Sequence, residues 1–425
     1  MKKLISIIVT AALTVTSVFA LAGCNSAEGG ESNSNGDTGT VASQDDGDEP
    51  VTPVDSDSDF KVGAIYINSQ NDNSGYTYAH HKGITTAMKS IGLNPDTDLY
   101  IVDNIPEDDE KVKQAIDQLA GNGCNIIFGI SFGYINAFEE KAEEYPDIIF
   151  SHATGYLSND KNFNNYFGRI YQARYLAGIA AGYKSLAIGN NNIGYVSAWG
   201  TEYAETCSGI NAFAMGCMAV NPDAKISVYE IYTWGDQELE RQAAETLIET
   251  YGCGVIAQHC DSAQPQIVAN EKHVFGCGYN SDMTAEAPDS HLTAPIWNWD
   301  AYYATAMKAA MTDPDSFMQT VGNYYEGLSA GLVDVSELSK NCEPETAEAI
   351  KLAKDLMISG EWDVFSGVKL TFSGAAGSVK VDKVNDALVT NAGAEIVAAG
   401  GASVDDGVIQ GTMDYYVAGV TQVNN

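Results

Sequence analysis

Residues 61–68 read KVGAIYIN, an apolar, β-branched run, and the stretch that follows, SQNDNSGY (69–76), is made of Ser, Gln, Asn, Asp and Gly and ends on a single aromatic. A short apolar run bounded by turn residues predicts a strand buried on both faces, with a loop at its carboxyl end. A helix over 78–91 and a short strand over 99–102 are expected next. Residues 107–120 form an amphipathic helix, with Val112, Ile116 and Leu119 on one face and acids in the first turn, stopped at Gly121-Asn122-Gly123.

The alternation continues along the body. NIIFGI (125–130) is a second buried strand, the helix at 134–145 ends before Pro146, and 148–152 is the next strand. Residues 166–170 lead into a helix at 171–185, whose Gly178 and Gly182 permit close packing and whose Arg174 and Lys184 mark it as a packed soluble helix rather than a membrane one. After a Gly-Asn joint at 188–192 the cycle repeats. Strands are expected at 193–198, 225–231, 254–258, 274–278 and 292–296, and helices at 203–218, 236–251, 263–271 and 299–311.

Strands alternating with helices imply parallel sheets covered on both faces, and two such runs imply two similar α/β lobes. The expected division is 60–187 with about 288–315 as the amino-terminal lobe, and 188–287 with about 316–372 as the carboxy-terminal lobe. The Gly- and Val-rich residues 373–425 are left as an extension of unassigned role. Ligands of open parallel sheets bind outside the carboxyl ends of the strands. That rule points to 68–76, Ser131, Phe132, His152, Trp199, 232–234, 259–261, 280–282 and Trp297, which include three of the five tryptophans.

The amino terminus carries an address. Lys2 and Lys3 precede an uncharged apolar run, and Leu21-Ala22-Gly23-Cys24 ends it with small residues, the pattern of a lipoprotein signal peptide at 1–23 with Cys24 as the lipidated first mature residue. Two acyl chains give a stable anchor where one is marginal. Residues 24–59 hold ten acids, no Lys or Arg and no aromatic residue, a composition that cannot bury enough apolar surface to offset its ordering entropy. They read as a flexible acidic tether of about 30 Å root-mean-square span.

Net charge is −35, which excludes nucleic acid as a partner. With Cys24 committed to lipid, seven cysteines remain, an odd number sitting in or beside apolar runs, and they read as buried free thiols. His80-His81 and His259-Cys260 lack a second ligand pair at metal-site spacing, so neither a metal nor any other cofactor is called for.

Many separate motifs occur in a familiar order: NDNSGYTYAHHKGI (71–84), FGISFGY (128–134), SHATGY (151–156), RYLAGIAAG (174–182), GINAFAMG (209–216), NPDAKISV (221–228), VIAQHCDS (255–262), GYNSDM (278–283) and HLTAPIWNW (291–299). Together they resemble the basic membrane protein family, lipoprotein solute receptors of ABC importers related to the purine nucleoside receptors. The resemblance runs from about 61 to 367. It implies a type I periplasmic-binding-protein architecture, two Rossmann-like lobes joined by three crossover strands and closing over one ligand. It also implies a monomer working with an ABC permease and its ATPase.

The resemblance further implies a purine-like ligand held between aromatics of the two lobes, at Tyr76 and Trp234, with Trp199 and Phe132 nearby. The family's acidic ribose-gripping position falls at Asn280 and a family lysine falls near Trp297, departures that favour a free nucleobase over an intact nucleoside. Asp72, Ser131 and Asp282 would then read the base edge, and His259 stands at a strand end beside them.

Two other readings remain open. Gly129-Ile130-Ser131-Phe132-Gly133 fits G-x-S-x-G between a strand and a helix, and Asp282 and His291 follow in the Ser, Asp, His order of a serine hydrolase. No HGGG-like oxyanion loop precedes it, and the receptor family accounts for the same residues as a cleft loop. A sensory receptor of the same fold, passing its ligand state to a membrane kinase, is the other alternative.

Overall fold

The apolar runs become strands because helices cover both sides of each sheet. Val62–Tyr66, Ile126–Ile130 and Ile149–Ala153 are buried at every position. A computed structural model describes residues 59–424. The signal peptide, Cys24 and nearly all of the tether lie outside the described residues.

Six parallel strands form the first sheet, in the order Tyr324–Glu326, Phe163–Gly168, Ile149–Ala153, Ile126–Ile130, Val62–Tyr66, Leu99–Val102. The second sheet, also parallel, runs His291–Thr293, Phe275–Cys277, Val255–His259, Asn192–Ser197, Lys225–Glu230, Val420–Gln422. Strand order reverses between Val62–Tyr66 and Ile126–Ile130 in one sheet and between Asn192–Ser197 and Val255–His259 in the other. Those reversals open crevices at the carboxyl ends, which is where Ser131 and His259 stand.

The chain changes lobe three times, at Arg169, Asn298 and Gly327. Their backbones are tied together: the Arg169 amide donates to the Glu326 carbonyl at 2.7 Å, the Asn298 amide to Leu332 at 2.7 Å and the Leu332 amide to Gly327 at 3.2 Å. Gln172 Oε1 accepts the Leu328 amide at 2.9 Å.

Lobe membership differs from the sequence division in three places. Helix Ile170–Ala187 packs on helix Ala204–Val220 of the second lobe, so the first crossing is at Arg169 and not at 187. Its glycines decide this: a Cβ on Gly178 would stand 2.2 Å from the Phe213 carbonyl, and one on Gly216 would stand 2.1 Å from the Tyr175 carbonyl. The expected strand at 292–296 is two strands, His291–Thr293 in the second sheet and Pro295–Trp297 paired antiparallel with Val333–Val335. Tyr324–Glu326 joins the first sheet, and helix Trp299–Thr312 packs on helix Gly75–Ser90 of the first lobe. The extension belongs to the second lobe, where Val420–Gln422 forms the edge strand.

Among the described residues no helix is long and apolar enough to cross a membrane. The seven described cysteines are all unbridged; six are buried and Cys342 is partly so.

Candidate functional site

The loops at the two strand-order reversals enclose a cavity of about 730 Å³, within the usual range for a small-molecule site. From the first lobe come Tyr76, at the start of helix Gly75–Ser90, with Ser131 and Phe132 at the end of Ile126–Ile130. From the second come Trp234, after strand Lys225–Glu230, and His259, the last residue of its strand. These five sequence-predicted residues line one space. Phe132 reaches Tyr203 of the second lobe, their ring centres 6.4 Å apart and perpendicular.

The other five predicted residues stand outside the lining. Trp199 supports it, with its ring centre 5.1 Å from Tyr203 and 6.4 Å from Trp234. Asp72 lies in the loop after the first strand, near enough to Asp261 for their charges to repel. Asn280 is buried beside lining residue Tyr279, in a left-handed conformation (φ 67°), and neither atom of its amide has a partner. Asp282 turns away to accept the Thr284 amide and hydroxyl at 2.9 and 2.6 Å, and it pairs with His291 at 3.4 Å. Trp297 is held behind the site by a column: His80 stacks on Trp299 at 4.3 Å and Trp299 on Trp297 at 4.3 Å, across the crossover at Asn298.

Ser131 is not built as a nucleophile. Its hydroxyl donates to Glu107 Oε1 at 2.6 Å, and the same oxygen accepts the Gly133 amide at 2.8 Å. Asp282 and His291 pair with each other at the second sheet, so the Ser, Asp, His order in sequence has no counterpart in these contacts.

Nine tyrosine, phenylalanine and tryptophan rings and four carboxylates line the cavity, and among the described residues no lysine or arginine does. That lining disfavours an anionic solute and suits a flat or ring-shaped neutral one with hydrogen-bond donors. Sequence reasoning did not select Glu107, Tyr156, Glu202, Tyr203, Glu205, Asp261, Tyr279 or Tyr325. Asp261 did fall within the strand-end stretch 259–261, and Tyr156 and Tyr279 lie in the motifs at 151–156 and 278–283. Gly407, Gln410 and Gly411 also line the cavity and come from the extension, where no motif marked them.

The electrostatics centre on Asp261 and Glu205. Burial, then the charges of Glu240, Glu205 and Asp72, push the Asp261 carboxyl up to about 8. Near neutral pH it is therefore poised to donate as well as accept a hydrogen bond. Burial also pushes Glu205 upward, but His259, 3.2 Å away, and Arg174 outweigh it and hold the carboxyl below its usual range. Burial, then Arg174, lowers His259, against the raising effect of Glu205. Arg174 sits behind the wall with its guanidinium 3.9 Å from the Tyr279 ring centre, donating to Tyr195 Oη at 2.8 Å and to the Gln258 carbonyl at 2.9 Å.

The match that decides the family spans the body of the chain: a model described as ABC transporter substrate-binding protein, PnrA-like, covers residues 60–364. The chain belongs to that family. It is a solute-binding protein rather than an enzyme, and its place is on the extracytoplasmic side with a permease and ATPase.

Among relatives of this substrate-binding protein, a Haloferax volcanii protein named as an ABC transporter glucose-binding protein is 33% identical over 308 residues, 71% of this chain and 73% of that one. A purine-binding protein of Brucella abortus is 31% identical over 361 residues, 85% of this chain and 93% of that one. An ABC transporter solute-binding protein of Conexibacter woesei superposes with a TM-score of 0.58 at 18% identity, over 72% of this chain and 98% of that one. That likeness shows the fold, the type I periplasmic-binding-protein architecture.

Proposed function

We propose that this protein captures a purine nucleobase or nucleoside between its lobes and delivers it to the permease of an ABC importer, tethered to the membrane through lipid on Cys24. The observation that supports the ligand is the wall chemistry: Tyr76 and Phe132 from one lobe and Trp234 and Tyr203 from the other line one cavity that holds Asp261, Glu205 and His259 and, among the described residues, no lysine or arginine. Aromatic faces on both sides suit a flat heterocycle, each aromatic pair adding about 0.5–1.5 kcal/mol beyond its buried area. The carboxylates then accept the N–H groups of the base edge. Contacts made to both lobes favour the closed state by the difference in affinity between closed and open forms.

Thermal-shift measurement against nucleobases, nucleosides and sugars tests the ligand. A shift with a purine is expected; shifts with sugars alone would remove the purine assignment and leave the fold untouched. For the anchor, Cys24→Ser should release the protein from the membrane fraction, and retention of that variant would remove the lipid tether.

The same lining favours one second reading, a neutral sugar. Ring hydroxyls would donate to the four carboxylates while an aromatic face covers the apolar side of the ring, and the relative named for glucose binding is of similar identity. The thermal-shift panel separates the two.

A further inference from the structure

The family's domain ends at residue 364, yet the cavity does not. Helix Asp406–Gly411 lies beyond it and supplies Gly407, Gln410 and Gly411 to the lining. The helix is fastened to the second lobe. Asp405 caps it by accepting the Val408 amide at 3.0 Å, and the helix packs on helix Ala204–Val220 with Ile409 buried. Just after it, Asn211 donates to the Tyr415 carbonyl at 2.8 Å and accepts the Val417 amide at 2.9 Å. Strand Val420–Gln422 completes the attachment at the sheet edge.

From that position Asp406 grips a crossover residue. Arg169 donates to its two carboxylate oxygens at 3.1 and 2.6 Å, lies 3.5 Å from Glu326 on the first sheet, and rests over the ring of lining residue Tyr325 at 5.3 Å. A two-pronged pair of this kind fixes geometry as well as distance. Gln410 is exposed at the cavity, and among the described residues its amide has no hydrogen-bond partner. An amide offers a donor and an acceptor side by side, the complement of the paired donor and acceptor on a purine edge.

We propose that helix Asp406–Gly411 is a wall of the binding site, in which Gln410 selects among neutral ligands and Asp406, through Arg169, couples that wall to the hinge. This rests on the interlobe cavity being the binding site. It adds to the family's two lobes a specificity element built from the chain beyond them.

The test uses adenine, adenosine, guanosine and D-glucose as probes, titrated calorimetrically into the wild type, Gln410→Ala, Asp406→Asn and Trp234→Ala. Spin labels on the exposed positions of Glu139→Cys and Glu238→Cys, one per lobe, report the interlobe distance with and without probe. Gln410→Ala should alter affinity by about threefold to tenfold and unequally between adenine and adenosine, the loss of one hydrogen bond. Asp406→Asn should broaden the distance distribution of the unliganded protein.

If Trp234→Ala weakens binding while Gln410→Ala and Asp406→Asn match the wild type in affinity and distance, the wall proposal is overturned and the cavity reading stands. If a probe binds and Trp234→Ala has no effect, the cavity reading itself fails and the wall proposal falls with it. If no probe binds, the unliganded distances decide, broadening supporting the coupling and an unchanged distribution overturning it.

Discussion

Gly75 of the first lobe and Asp261 of the second meet so closely that a Cβ on the glycine would stand 2.2 Å from the Asp261 carbonyl oxygen. Gly75 also has φ 84°, a conformation that suits glycine and strains other residues. One position thus carries both the turn into helix Gly75–Ser90 and a contact between lobes.

Gly75→Ala should therefore hold the lobes apart. The left-handed backbone alone costs about 1–2 kcal/mol, and the clash is with backbone that cannot rotate away. The variant is expected to fold, to show a longer interlobe distance by spin labelling, and to bind ligand at least about tenfold more weakly. Wild-type affinity would mean that closure does not use this contact.

Trp234→Ala and Tyr76→Ala should each weaken binding by about tenfold or more, through lost stacking and lost apolar area. Trp199→Ala should cost less, because Trp199 touches Trp234 and Tyr203 rather than the cavity. Calorimetry on the three variants checks the order. A larger loss at Trp199 than at Trp234 would contradict it.

Stability of the ligand-free protein should fall as pH rises. Burial, then the charges of neighbouring carboxylates, raises Asp261 from 3.8 to about 8. Burial, against hydrogen bonds from Ser262 and Cys260, raises Glu240 from 4.5 to about 7. The folded state then holds protons that the unfolded state has lost, so this stabilisation is complete below the unfolded values and is lost as pH climbs through the folded ones. Melting temperature measured across that window should decline, Asp261→Asn should flatten the upper part, and Glu240→Gln the part ending near 7. A profile unchanged in both variants would show that neither group carries the effect.

All seven described cysteines should titrate as free thiols once the protein is unfolded. In the native protein burial pushes Cys124, Cys207 and Cys253 up to about 12 and Cys342 up to about 11, so a disulfide-exchange reagent should find few thiolates. A count lowered by two or more in denaturant, restored by reductant, would reveal a bridge.

The alternation of strands and helices was legible because each buried strand is a short apolar run between turn residues, as at Val62–Tyr66 and Ile126–Ile130. Lobe membership was not. Helix Ile170–Ala187 is apolar almost all round, so periodicity cannot say which sheet it covers; the backbone approach at Gly178 and Gly216 does. Strand Val420–Gln422 is three residues long and gains its place by pairing with residues nearly two hundred positions earlier, as in Val420 opposite Ile226. In the site, position at a strand end identified Tyr76, Ser131, Phe132, Trp234 and His259 as lining residues. It did not tell which way a side chain turns, hence Asp282 folded onto Thr284 and Trp297 stacked into the hinge column.

Calorimetric titration of adenine, adenosine and D-glucose into one preparation of the protein tests the central claim most directly. Saturable one-to-one binding of a purine, with a negative heat-capacity change from burial between the aromatic walls, is the predicted result. Saturable binding of glucose with no heat from either purine would contradict it.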